Sequence, residues 1–217
     1  MLPRIAGAIP FAAWFIVVNE FAERFAYYGG STPFQNYIQY PAQNATQRAA
    51  LQLQPGALDR GVDDATRMNN FFTFWVYLCP LIGAFISDQY WGKFKTILVF
   101  SSIYLLGWIL LTVSSIPTGF YPDDTPYWGS FAYPGFWSSI VIIGLGAGGI
   151  KSIVSPMCAD QLPSEPYMKD GKIIDPDLTV QHLYNWFYWA INVGAMCGQL
   201  ICTTAERSAF WKAYLIP

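Results

Sequence analysis

From Pro10 to Tyr40 almost every residue is apolar, aromatic or small. Roughly 20 such residues are enough to cross a bilayer as a helix. The pattern recurs four more times, predicting an all-α, polytopic chain with spans at about Ile9–Tyr37, Asn69–Tyr90, Thr96–Ile116, Pro134–Val154 and Leu183–Thr204. A further aromatic, apolar run starts at about Phe210, the beginning of a sixth span. The first segment is long enough to tilt or bend, with Pro33 as the expected bend. Polar connections are expected at Pro41–Arg67, Asp88–Lys95, Pro117–Tyr133 and Ser155–Gln181.

One polar pattern interrupts the first span. Glu20, Glu23, Arg24, Tyr27, Tyr28 and Ser31 stand at i, i+3, i+4, i+7, i+8 and i+11, a single stripe on a helix of period 3.6. A charge at the bilayer centre costs about 2.5–3.5 kcal/mol, so the stripe must face a bundle interior or water and its charges must pair. A structural ion pair between helices would satisfy the pattern. An ion or substrate pathway fits it better.

Composition agrees with the membrane reading. Of 217 residues, 53% are hydrophobic and 12% charged, about half the charged share of soluble domains. The net charge of −2 shows no basic run for nucleic acid. Cys79, Cys158, Cys197 and Cys202 lack ligand spacing, so neither a metal nor a disulfide framework is expected. The first run has span length and no small-residue cleavage site, so it is expected to remain in the protein. Lys and Arg divide evenly between the two sides, leaving orientation undecided by charge. A cytoplasmic N-terminus would put the sequon Asn44-Ala45-Thr46 outside.

Gly144-Leu145-Gly146-Ala147-Gly148-Gly149 matches the dinucleotide-loop pattern. No βαβ context surrounds it, so Gly144 and Gly148 are read as a close helix contact. Lys151 follows them and is the only basic residue besides Arg24 inside a predicted span. It could snorkel to the interface. Two carboxylates against one Arg24 favour a place in the interior, paired with Glu20 or Glu23.

These residues also carry a resemblance. Glu20-x-x-Glu23-Arg24-Phe25-x-Tyr27-Tyr28-Gly29 resembles the first-helix signature of the proton-dependent oligopeptide transporters, within the major facilitator superfamily. Gly148-Gly149-Ile150-Lys151 with Ala159-Asp160-Gln161 resembles the fourth-helix motif, and Phe187–Ala195 the fifth. Gly83–Asp88 with Gly92-Lys93-Phe94-Lys95 is a partial match to the superfamily's loop between helices two and three. The context Pro33–Tyr37 is most similar to fungal members.

The resemblance implies a peptide site between two six-helix bundles, with this chain supplying an N-terminal bundle and lacking the C-terminal one. It implies proton-driven uptake of di- and tripeptides, with protons as coupling ion and no other cofactor. Glu20, Glu23, Arg24 and Lys151 would couple protons. Arg24, Tyr27, Tyr28, Tyr77, Lys151 and Asn192 would bind substrate. Ser31 departs from the arginine of many bacterial members. Relatives that carry nitrate leave small anions open as cargo, and a chain that only associates with other membrane proteins is a further alternative. The expected place is a plasma membrane, multi-pass, with a cytoplasmic N-terminus, and the lipid bilayer and small peptides are the expected partners.

Overall fold

The computed structural model describes residues 4–42, 54–116, 131–169 and 171–217. The sequon at Asn44 and most of the connection 117–133 lie outside these residues. Helices dominate: α1 Phe11–Ser31, α2 Phe34–Gln39, α3 Gly61–Ile86, α4 Gly92–Ser114, α5 Ala132–Ala159, α6 Pro176–Glu206 and α7 Phe210–Leu215. At 1.5 Å per residue, the 21 residues of α1 are about 31 Å long, the thickness of a hydrocarbon core. Two helical segments, Gly61–Ser114 and Ala132–Ala159, are apolar enough by composition to cross a membrane. The three charges of α1 lower its hydropathy, although the helix has the length.

Several boundaries differ from the sequence reading, each for a physical reason. The first segment breaks at Thr32-Pro33, giving α1 and the short α2. No loop separates α3 from α4. A wide π turn, Ser87–Trp91, runs directly into Gly92, whose φ of +72° reverses the chain in the left-handed region that suits glycine. Helices α3 and α6 begin about two turns before their apolar stretches, because polar residues also extend a helix into water. At α6 the Asp175 side chain accepts from the Asp177 amide, with Pro176 at the first position.

The all-α expectation gains one addition, a three-stranded sheet in the order β1-β3-β2. Here β1 is Arg4–Ile5, β2 is Tyr167–Lys169 and β3 is Lys172–Ile174. Strands β2 and β3 pair antiparallel, while β1 joins β3 in parallel. Arg4 reinforces the join through Asp175 at 3.3 Å, and the Gly7 amide donates to Thr179 Oγ1 at 2.8 Å. A two-residue strand paired more than 160 residues away leaves no periodicity to read.

Small residues set the helix packing. A Cβ on Gly148 would stand 2.4 Å from that of Cys79, and one on Gly83 would stand 2.6 Å from the Gly149 carbonyl oxygen. On the other side of α5, Gly146 lies against the Tyr104 backbone and Gly149 against the Phe100 ring. The glycine run is therefore the place where α5 wedges between α3 and α4, and no nucleotide loop. Trp75 Nε1 adds a 2.9 Å bond to the Val141 carbonyl. A second close pair forms where Gly194 and Gly198 of α6 meet the backbone of Phe21 and Phe25 in α1. In lipid such contacts stabilise through dispersion, since burial from water is not available as a driving force. The α1–α6 pair touches α5 far less than it touches itself. Large side chains such as Phe15, Leu81, Phe94 and Leu105 remain exposed on the outside, as a lipid-facing surface requires.

Candidate functional site: a buried charge triad and an aromatic wall

Helix periodicity brings the stripe of α1 inward. Glu20, Glu23 and Arg24 are 4%, 9% and 7% exposed, in a bundle whose outside is apolar. The guanidinium serves both acids, unequally. Arg24 Nε donates to Glu20 Oε1 at 2.7 Å. The same nitrogen lies 2.8 Å from Glu23 Oε2, yet that oxygen is buried without an aligned donor among the described residues. Glu20 thus holds a charge-assisted hydrogen bond, while Glu23 has the cation's proximity alone. The first is worth more than the second in a low-dielectric interior.

An aromatic layer lies one to two turns along. The Tyr27 ring stacks on Phe72 of α3, with centroids 5.8 Å apart, and meets Tyr28 edge-on at 5.1 Å. Lys151 projects from α5 beside this layer. Its Nζ stands 4.0 Å from the centre of the Tyr77 ring, a cation–π contact. The expected ion pair of Lys151 with Glu20 or Glu23 is not formed among the described residues, because Arg24 of the same helix, one turn from Glu20 and next to Glu23, already engages both acids. Tyr77 is 63% exposed, so the cation and its aromatic partner sit at an accessible edge. Asn192 is exposed on α6, its amide donating to the Tyr188 carbonyl at 2.8 Å.

The structure adds residues that motif reading passed over. Phe72 supports Tyr27 from beneath. Tyr104 and Trp108 of α4 pack edge-on at 5.9 Å, and the Trp108 ring fills the space opened by Gly30. Their signal was an i, i+4 aromatic pair, indistinguishable in sequence from ordinary core. At the start of α4, Lys93 bonds Asp160 just past the end of α5, tying the π turn to the neighbouring helix.

The fold and this interior define a polytopic helical membrane bundle built around buried, mutually paired charges. The POT family (PTR2) matches residues 94–217, and the chain belongs to that family. A fission yeast relative, named "Probable peptide transporter ptr2" of Schizosaccharomyces pombe, is 44% identical over 224 residues, covering all of this chain and 34% of the relative. Peptide transporter PTR2 of Saccharomyces cerevisiae is 36% identical over 222 residues, covering 100% of this chain and 34% of the relative. The chain thus spans about a third of the length of the curated relatives it matches. A crystal structure of a POT peptide transporter superposes with a TM-score of 0.70 at 22% identity, over 99% of this chain and 37% of the other. That likeness shows that the chain shares the helical fold of a POT transporter over the part it covers, and POT transporters are integral membrane proteins.

Proposed function

We propose that the chain forms part of a symporter that couples the inward movement of protons to uptake of di- and tripeptides, in the plasma membrane and with a cytoplasmic N-terminus. The observation that carries this reading is the uneven sharing of Arg24 between two buried acids, with a second cation, Lys151, seated nearby on the face of an aromatic ring.

A cation held by cation–π contact gives up about 0.5–2 kcal/mol on leaving. A buried ion pair holds several times that. Lys151 is therefore the cation that a peptide carboxylate can recruit first. Arg24 follows when the incoming carboxylate competes with Glu20 and Glu23 for the guanidinium. A buried carboxylate whose cation turns away takes up a proton, because burial disfavours the bare charge. Glu23, lacking the aligned N–H, is the acid that loses least when Arg24 turns. Tyr27, Tyr28, Tyr77 and Asn192 supply aromatic surface and hydrogen bonds for the peptide body. The scheme needs no cofactor beyond the proton. The names of the relatives support peptide as the cargo.

The test is Lys151→Ala in the full-length protein, reconstituted in liposomes. Uptake of labelled dipeptide driven by a proton gradient should be lost, while exchange of peptide across the membrane stays measurable. Uphill accumulation at the wild-type level would reduce Lys151 to a snorkelling side chain and overturn the coupling scheme. Uptake of nitrate that unlabelled dipeptide does not compete against would overturn the choice of cargo.

A further inference from the structure

A second acid lies buried outside the triad, at the far end of α6. Glu206 is 5% exposed. Its Oε1 accepts from Asn36 Nδ2 of α2 at 2.9 Å, across 170 residues of chain. Its Oε2 is buried with no hydrogen-bond partner among the described residues. The other polar groups of α2 turn toward α3, where Asn69 donates to Gln35 at 2.7 Å and Gln35 in turn to Gln39 at 2.9 Å. Glu206 and Asn36 are therefore the joint between α2 and α6, in a bundle end otherwise closed by rings. Tyr37 stacks on Phe136 and meets Tyr214 of α7 with centroids 5.6 Å apart.

We propose that Glu206 is a second proton-binding group, whose neutral acid holds α2 against the end of α6 and whose ionisation loosens that joint. The inference rests on the symporter reading for its role in transport and on geometry alone for the joint. Among the described residues, the titratable or charged groups that act on Glu206 are Tyr214 from α7 and Arg207 just past its own helix, and Tyr37 from α2 and Cys202 of α6 act on Tyr214 in turn. Gly29 of α1 lies against Cys202. Burial pushes the Glu206 carboxyl above the usual range, and the Asn36 bond and exposed Arg207 only partly offset it. The sign follows. A raised carboxylate binds its proton more tightly in the closed joint than in an open, hydrated one, so closure is complete at low pH and weakens as pH rises. Outside acid would close the joint while it supplies the coupling protons. Higher pH would let α2, and with it the end of α1, move.

Cys202, fully buried one turn before Glu206, is a built-in reporter. The experiment follows alkylation of Cys202 by N-ethylmaleimide in the full-length protein, read by peptide mass spectrometry, from pH 6 to pH 8. Glu206→Gln keeps an oxygen for Asn36 and cannot ionise, so it corrects for the intrinsic reactivity of the thiol. The ratio of wild-type to Glu206→Gln rates should rise with pH, by up to about tenfold per unit below the titration of Glu206. Asn36→Ala should raise labelling at both ends of the range, and it stands in if Glu206→Gln fails to fold. A wild-type to Glu206→Gln ratio constant with pH, or an Asn36→Ala variant as protected as wild type, would overturn the proposal. Peptide uptake measured on the same samples separates the two readings. A protein that takes up peptide but gives a flat ratio refutes the joint alone, whereas pH-dependent labelling without uptake refutes the symporter reading alone.

Discussion

Replacing Arg24 by Gln should destabilise the protein more than any other single change in the triad. Arg24 is the cation for two carboxylates at 2.7 and 2.8 Å, all three side chains being less than a tenth exposed. Removing one partner of a buried pair typically costs 3–5 kcal/mol, because it strands a charge. The stranded group here is a pair of like charges, three residues apart on one face, so the upper part of that range applies. About 4–5 kcal/mol is close to three decades or more in the folded-to-unfolded ratio. The measurement is thermal unfolding of detergent-solubilised full-length protein, followed by tryptophan fluorescence and by the monodisperse fraction after heating. The control is the triple change Glu20→Gln, Arg24→Gln, Glu23→Gln. It removes the stranded charges with the cation and should recover much of the loss, since a buried ion group replaced as a whole is often neutral in stability. An Arg24→Gln variant as stable as wild type, or a triple variant less stable than Arg24→Gln, would refute the claim that mutual pairing is what allows these charges inside.

Gly198→Val should separate α1 from α6. The first added carbon would stand 2.3 Å from the Phe25 carbonyl oxygen, a backbone atom that cannot rotate away, so a loss of about 1–3 kcal/mol is expected in the same melting assay. An unchanged melt would mean that the two helices are not closely packed there. Tyr77→Phe should preserve peptide affinity, because Lys151 meets the ring face, not the hydroxyl. Tyr77→Ala removes the aromatic surface offered to the peptide body, about 0.5–1.5 kcal/mol, and should raise KM by up to about tenfold. Equal KM values for the Phe and Ala variants, from labelled dipeptide uptake, would discount the ring.

The sequence made local features legible and concealed distant ones. Period 3.6 was enough to put Glu20, Glu23 and Arg24 on one buried face, because a polar stripe in an apolar helix has one place to go. The spacing of Gly144 and Gly148 announced close packing for the same reason, a missing side chain being visible in a string of letters. The partner of Lys151 was not legible. Charge counting pointed to an acid, but which group lies beside a lysine depends on how α3 and α5 are set by Gly148 and Cys79, and that setting brings Tyr77. The joint of Glu206 with Asn36 was not legible because Asn36 is one polar residue within the first apolar run and Glu206 lies past the fifth, and only the fold brings residues 170 apart together. The turn at Ser87–Trp91 read as a loop because its charges and Gly92 look like one, whereas a π turn leaves no signature in composition.

The glycine contacts of α6 on α1, and of α5 with α3 and α4, make two rigid plates with a thin seam between them. Backbone meets backbone within each plate, so neither can shear internally without breaking many contacts at once. Across the seam the contacts are side chain on side chain or on a glycine, as in the Tyr27–Phe72 stack, Trp108 against Gly30 and the Asn69–Gln35 bond. The triad of α1 belongs to one plate, and Lys151 with Tyr77 to the other. A charge that arrives between them therefore pulls on both plates simultaneously, and the softest response open to the bundle is for the plates to rock about their seam as units.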